Sequence, residues 1–209
     1  VRELELKFSF AGDAFPSEEE LAATLRPHGF ALRAEGTLEL NDRYFDTRKR
    51  TLMQAGVAVR ERRLADRVLV TLKQAGCAEG ALHEREELEL PLEAGRWPHA
   101  ITAQLAALTP LTLLKPLVDL HAHKERYLIG HGEARAELSL DSVSASFPDS
   151  ESSAHFFEVE LEARDTSGAD FLLRVSDALS PLMPLVPCSV NKLERALALL
   201  ELASSWEPS

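Results

Sequence analysis

Cysteine is nearly absent: the 209 residues hold two, Cys77 and Cys188, far apart and with no histidine at zinc-ligand spacing. A disulfide framework and a structural zinc site are thereby excluded, and a reducing cytoplasm is the expected compartment. Long apolar runs are missing too, so no membrane span is expected, and the first residues lack a secretory-leader pattern. Positive charge is scarce. Twenty-three Lys and Arg stand against 34 Asp and Glu, a net charge of -11 with His neutral. Such a surface repels a phosphate backbone, which excludes general binding to a nucleic acid duplex. A small anionic substrate stays compatible, because a cleft can be basic on an acidic protein. No fixed-period repeat and no low-complexity segment occur, so residues 1–209 are expected to be a single domain.

What is present is alternation. In Glu3-Leu4-Glu5-Leu6-Lys7 the charges fall at every second position. A strand would place all three on one face and Leu4, Leu6 and Phe8 on the other. That charged face looks either at bulk water or into a site holding anions and metal ions together. Ser17 with Glu20 forms a capping box for a helix carrying Leu21 and Leu25, stopped by Pro27 and Gly29. Residues 31–45 read as a long strand and 48–56 as a polar turn. Residues 57–63 and 67–74 read as a hairpin, 74–80 as a loop and 83–90 as a further strand. A helix is expected over 98–108, strands over 117–129, 133–146 and 156–163, and helices over 167–182 and 192–202. In 133–146, Leu138, Leu140 and Val143 are expected opposite Glu137, Ser139 and Asp141. The eight strands suit an antiparallel sheet that closes on itself and so removes its edges. Helices covering its apolar faces from outside would leave the charged faces inside.

Gathered by strand parity, one face holds the acids Glu3, Glu5, Glu87, Glu89, Asp141, Glu158, Glu160 and Glu162. The same face holds the bases Lys7, Arg60, Arg62, Lys73, Arg85, Lys124 and Arg126. An ordinary solvated face also alternates, but it does not require like charges stacked at i, i+2, where they repel. Arg60-x-Arg62, Lys124-x-Arg126 and Glu158-x-Glu160-x-Glu162 do stack them. Arginine forks suit phosphate, and clustered carboxylates suit Mg2+ or Mn2+. The seven histidines, His121-x-His123 included, carry no such constellation. Trp97, Trp206 and the basic run Arg48-Lys49-Arg50 read as packing, tail and solvated turn.

Glu3-Leu4-Glu5-Leu6-Lys7 resembles the Glu-x-Glu-x-Lys signature of CYTH domains, the triphosphate tunnel metalloenzyme superfamily. The resemblance continues in order through Tyr44-Phe45-Asp46-Thr47, Val59-Arg60-Glu61-Arg62, Thr71-Leu72-Lys73, Arg85-Glu86-Glu87 and Lys124-Glu125-Arg126. It ends with Leu140-Asp141, Phe157-Glu158-Val159-Glu160-Leu161-Glu162 and Asn191-Lys192-Leu193, where Asn191 stands for the family's serine. It implies an α+β fold: an eight-stranded antiparallel β-barrel tunnel with helices on the outside. It further implies a triphosphate held by Lys7, Arg60, Arg62, Lys73, Arg85, Arg126 and Lys192. Two divalent ions, Mg2+ or Mn2+, would lie on Glu3, Glu5, Glu87, Asp141, Glu158 and Glu160, with Glu3, Glu5 and Lys7 as the catalytic set.

The reaction implied is hydrolysis of a terminal phosphoanhydride without a covalent intermediate, the carboxylates staying ionised beside the cations. Inorganic tripolyphosphate is the leading substrate. An adenylate cyclase, a thiamine triphosphatase, an RNA 5'-triphosphatase and a non-catalytic polyphosphate-binding module are the alternatives. Members of the family often carry a helical polyphosphate-related domain after this one, which here would lie beyond Ser209.

Overall fold

The computed structural model describes residues 2–164 and 168–204; the side chains of residues 2, 75, 77–79, 85 and 204 lie outside that description. Trp206 and the first residue expected of the helix over 167–182 therefore fall outside it. Strand β1 (Arg2–Phe10) is followed by α1 (Glu18–Leu25), β2 (Ala31–Asp46), α2 (Thr51–Gln54) and β3 (Val57–Arg63). Next come β4 (Val68–Glu79), β5 (Leu82–Pro91), α3 (His99–Ala106), β6 (Lys115–His131), β7 (Ala134–Ser146) and β8 (Ser153–Arg164). The last elements are α4 (Ala169–Leu179), β9 (Leu185–Pro187) and α5 (Lys192–Ser204). No helix among the described residues is long and apolar enough to cross a membrane.

The strands form one antiparallel sheet in the order β5-β4-β3-β2-β6-β7-β8-β1-β9, with β5 also paired to β1. Strand β1 is the seam. Glu5 to Phe10 pair with β8, while Arg2 to Leu6 pair with β5 on the other edge. Beyond β5, β9 takes over that edge opposite Phe8 to Phe10. At the changeover the Lys7 N–H donates to Ala81 O (2.8 Å) and Lys7 O accepts from the Cys188 N–H (3.0 Å). The eight long strands thus curl into a tunnel, with β9 as a short ninth strand.

Two stretches differ from the sequence expectation. Residues 74–80 are not a loop: β4 runs on to Glu79, with an irregularity between Gln74 and Cys77, and turns at Gly80 in a left-handed conformation (φ 60°). The turn expected over 48–56 contains α2. Buried Asp46 anchors it, accepting from the Leu52 N–H (2.9 Å) and the Met53 N–H (3.0 Å). Arg50 there pairs with Glu201 of α5, so it ties two elements together and is not a free solvated charge.

Three apolar clusters hold the fold. Helices α1 and α4 cover the outside of β1, β7 and β8, where Leu6, Leu138, Leu140, Val159 and Leu161 are buried. Helix α3 and Leu52 of α2 cover the outside of β3 and β4. The third cluster departs from the expectation that helices lie only outside. Leu193, Ala196, Leu197 and Leu200 of α5 pack on Leu40, Leu120, Ala122, Val143, Ala145, Ala154 and Phe156. By strand alternation those residues share a face with Lys124, Asp141 and Glu158, the inward one. Val143 is therefore on the Asp141 side, not opposite it. Burying the leucines of α5 is worth about 1.5–3 kcal/mol each, enough to seat the helix there.

Candidate functional site

Strands β1, β6, β7 and β8 and the first turn of α5 bring three lysines onto four carboxylates. Lys7 Nζ lies 3.2 Å from Glu160 Oε1, 3.5 Å from Glu5 Oε1 and 3.9 Å from Glu158 Oε1. Lys124 Nζ reaches Glu160 Oε2 at 3.1 Å and Asp141 Oδ2 at 3.5 Å. Lys192 contacts Asp141, and lies 3.2 Å from Glu158 Oε1. The cross-strand register explains the meeting, because Lys7 faces Glu160, and Asp141 faces both Lys124 and Glu158. Asp141 and Glu158 are fully buried (0 % exposed), so this is an interior charge cluster and not a solvated sheet face.

Lys192 opens α5, where a cation opposes the helix dipole. The carboxylates below it offset that cost. The helix start is fixed instead by Asn191, whose Oδ1 accepts from the Glu194 N–H (2.9 Å) while Glu194 Oε2 accepts from the Asn191 N–H (2.8 Å). An asparagine does this as well as a serine.

The opposite wall, from β2, β3, β4 and β5, carries the arginines. Asp42 Oδ1 and Oδ2 accept from Arg62 Nε (2.7 Å) and NH2 (2.8 Å), and Oδ2 also accepts from Arg60 NH1 at 3.1 Å. Arg60 is buried and donates as well to Tyr44 OH and, through Nε, to Thr71 Oγ1, both at 3.4 Å. Thr71 in turn donates to Glu89 Oε2 (2.8 Å). Lys73 Nζ bridges Glu87 Oε2 (2.6 Å) and Glu3 Oε2 (3.3 Å). Arg126 donates to the Glu35 carbonyl (3.2 Å), beside the register shift at Gly36 (φ 90°) where β2 bulges. Both walls line one cavity of about 530 Å³.

Packing so many charges together splits their protonation. Burial pushes Glu3 up to about 7, assisted by a hydrogen bond shared with Glu87 and opposed by Lys73. Glu87 goes the other way: burial acts to raise it, but Glu3, Lys73 and Arg60 hold it at about 2. Burial likewise raises Glu158 against the pull of Lys192 and Lys7, while Glu160 is held low against burial by Lys192, Lys124 and Lys7. The upward shifts of Glu3 and Glu158 run against the expectation that every carboxylate here stays ionised. Burial works against ionisation of Asp42 too, yet Arg60 and Arg62 hold it at about 2.

Asp141, Glu158 and Glu160 each offer an oxygen within 4.8 Å of the others. Asp141 Oδ1 and Glu158 Oε2 accept no hydrogen bond among the described residues. Buried carboxylate oxygens left in that state suit a hard cation. These residues fit a divalent metal.

Of the sequence candidates, Glu3, Glu5, Lys7, Arg60, Arg62, Lys73, Glu87, Arg126, Glu160 and Lys192 line the cavity, as do Glu89, Lys124 and Glu162. Asp141 and Glu158 lie against it through Lys124 and Lys192. The backbone of Arg85 pairs with Glu3, and its side chain lies outside the described residues. Sequence reading missed Asp42, although its parity between Leu40 and Tyr44 put an acid on the inward face. It also missed buried His83, which lines the cavity and whose Nε2 lies 2.7 Å from Cys188 O. His121 and His123 sit on the outer face beside Glu39, away from the cavity. Trp97 packs on Phe45 and donates to Glu61 Oε1 (2.6 Å).

Comparison with known proteins agrees with this geometry. A family model, the CYTH domain, matches residues 2–196. Three solved structures share the fold. HpAC1 from Hippeastrum, for which a dominant triphosphatase activity is stated, is 16% identical, with a TM-score of 0.58 over 94% of this chain and 95% of that one. A Bacillus halodurans protein named as a candidate adenylate cyclase is 20% identical (TM-score 0.55, 92% and 96% covered). The PH1819 protein of Pyrococcus horikoshii is 17% identical (TM-score 0.52, 94% and 98% covered). No curated protein matches the chain. The chain belongs to the CYTH domain family, as the match over nearly its whole length shows.

Proposed function

We propose that this CYTH chain hydrolyses a phosphoanhydride bond of a small triphosphate, inorganic tripolyphosphate first among them, with the help of a divalent cation. One observation carries the reading: Glu160 lines the same 530 Å³ cavity as Arg60 and Arg62, with its partners of the carboxylate trio, buried Asp141 and Glu158, directly behind it, so polyanion and cation are accommodated together. Neither set alone would require the other.

Arg62 presents to phosphate oxygens the guanidinium N–H groups that Asp42 does not take, Arg60 adds its charge behind them, and Lys7, Lys73, Lys124, Arg126 and Lys192 add charge around the chain of phosphates. Asp141, Glu158 and Glu160, with Glu3, Glu5 and Glu87, would hold the metal. When bound, a divalent ion neutralises phosphate charge and acidifies a coordinated water. Glu5 or Glu3 accepts the proton released as water attacks. Lys7, within 3.9 Å of three carboxylates, keeps that region electrostatically balanced. The fixed cations stabilise charge developing on the leaving phosphate, with no covalent intermediate. The packing of α5 on the inward face keeps bulk water from that section of the tunnel.

The triphosphatase activity stated for HpAC1 supports hydrolysis over cyclisation. The test is phosphate release from tripolyphosphate, thiamine triphosphate and ATP, each with Mg2+ and with Mn2+, cyclic AMP being followed in the ATP reaction. Phosphate release that depends on the metal and is fastest with tripolyphosphate is expected. Cyclic AMP formed without free phosphate would replace the hydrolase with a cyclase.

A further inference from the structure

We infer that Asp42 is the positioning residue for substrate capture: it sets the two arginine forks of the tunnel in their binding orientation before the polyanion arrives. The inference rests on the proposed function only in taking a triphosphate as the ligand.

A carboxylate directly behind the cations that line an anion site is electrostatically adverse. A unit charge of the wrong sign a few ångströms from a phosphate weakens its binding. Asp42 is 5 % exposed, faces inward from β2, and has no share in the Asp141, Glu158 and Glu160 cluster. Its effect is on the arginines. It sits directly across from Arg62 in the β2–β3 register, so the backbone fixes the pair. It takes Nε and NH2 of Arg62 in two parallel hydrogen bonds of 2.7 and 2.8 Å, which locks the plane of that guanidinium.

Arg60 is held on every side: by Asp42 and Tyr44 OH at NH1, by Thr71 at Nε, and near Glu87 at NH2 (3.9 Å). A free arginine gives up its rotamer freedom when it is fixed on a ligand. Here folding has already removed that freedom, so the substrate meets forks that are set.

The competing role is charge balance, in which two buried arginines merely need a counter-ion. The two roles predict opposite signs. If Asp42 only balances charge, Asp42→Asn removes a repulsion and tripolyphosphate binds more tightly. If it positions the forks, Asp42→Asn weakens binding by about tenfold or more, the size of a lost charge-assisted hydrogen-bond pair. Asp42→Glu separates them again: it keeps the charge but displaces the carboxylate by a methylene, and positioning predicts weakening of about fivefold where charge balance predicts none.

Tripolyphosphate binding is measured by titration calorimetry on the whole chain in EDTA, which needs no turnover, alongside KM and kcat with Mg2+. A rise in Kd and KM for both variants, with kcat changed by less than about threefold, is expected. Arg62→Lys should weaken binding in the parent and add little in the Asp42→Asn background. A Kd for Asp42→Asn equal to or below that of the parent overturns the inference; if that variant does not fold, an unchanged Kd for Asp42→Glu does so. A parent that binds tripolyphosphate but releases no phosphate refutes the hydrolase alone, and a parent that does not bind refutes both.

Discussion

Strands β6, β7 and β8 each carry two sections whose apolar faces are opposite. Near α4 and α1 the apolar residues point outward, as Tyr127, Ile129, Leu138, Leu140, Val159 and Leu161 do, and the inward face is charged. Nearer α5 the parity reverses. Val118, Leu120, Ala122, Val143, Ala145, Ala154 and Phe156 point inward, and His121, Ser142 and His155 look out to solvent. Two consecutive polar residues, Asp141-Ser142 in β7, mark the switch. The difference teaches how a tunnel can hold so many charges: the apolar section with α5 supplies a sealed core, and the charged section is suspended between it and the outer helices. Stability is expected to reside in one section and ligand affinity in the other.

Single substitutions in each section can break that division. The largest expected effect is on turnover. Glu158→Gln removes a buried carboxylate of the metal-suited trio, and metal-dependent phosphate release should fall by at least about a hundredfold. Its melting temperature should hold or rise, because burial already raises the Glu158 carboxyl. Unchanged rates would remove Glu158 from the site.

Val143→Asp probes the other section. It puts an unpaired carboxylate under α5 at a position 1 % exposed, and should cost about 3 kcal/mol or more in denaturant unfolding. A Val143→Asp chain as stable as the parent would mean that α5 does not seal the apolar section.

A pH series sharpens the comparison further. Asp42 sits at about 2 in the folded chain against an ordinary 3.8, so its stabilisation is fully present above pH 3.8 and is lost as pH falls towards 2. The advantage of the parent over Asp42→Asn should shrink by about 2 kcal/mol across that window, while the disadvantage of a neutral Val143→Ala should not change over it. A constant gap for Asp42→Asn would contradict the depressed carboxyl.

The smallest effect belongs to the outer face. Arg43 makes a bidentate pair with Asp119 (2.7 and 2.8 Å) but is well exposed, and Arg43→Ala should cost less than about 1 kcal/mol and leave phosphate release unchanged. A loss of activity would show that the outer face participates.

Much of this was written in local pattern. Alternation in Glu3-Leu4-Glu5-Leu6-Lys7 and in the Glu158 to Glu162 run fixes which side chains share a face, because a strand has no other way to arrange them. The capping box Ser17-Glu20 formed as expected, and its Glu20 is held low by bonds to Ser17. Misassignment came where parity flips within one strand, as at Val143. It also came where an extended hairpin looked like a loop, as at 74–80, since the irregularity between Gln74 and Cys77 breaks the alternation that marks a strand.

By itself the sequence determined the strands, their charged faces and the family they resemble, since side-chain period and residue order are properties of the chain alone. Only the tertiary structure decided that α5 enters the inward face and that Asp42 grips both arginines. It alone decided that Glu3 and Glu87 divide their protonation unequally. Each of these depends on which strands meet across the tunnel and on how deeply they are buried, and a list of residues encodes neither distance nor dielectric.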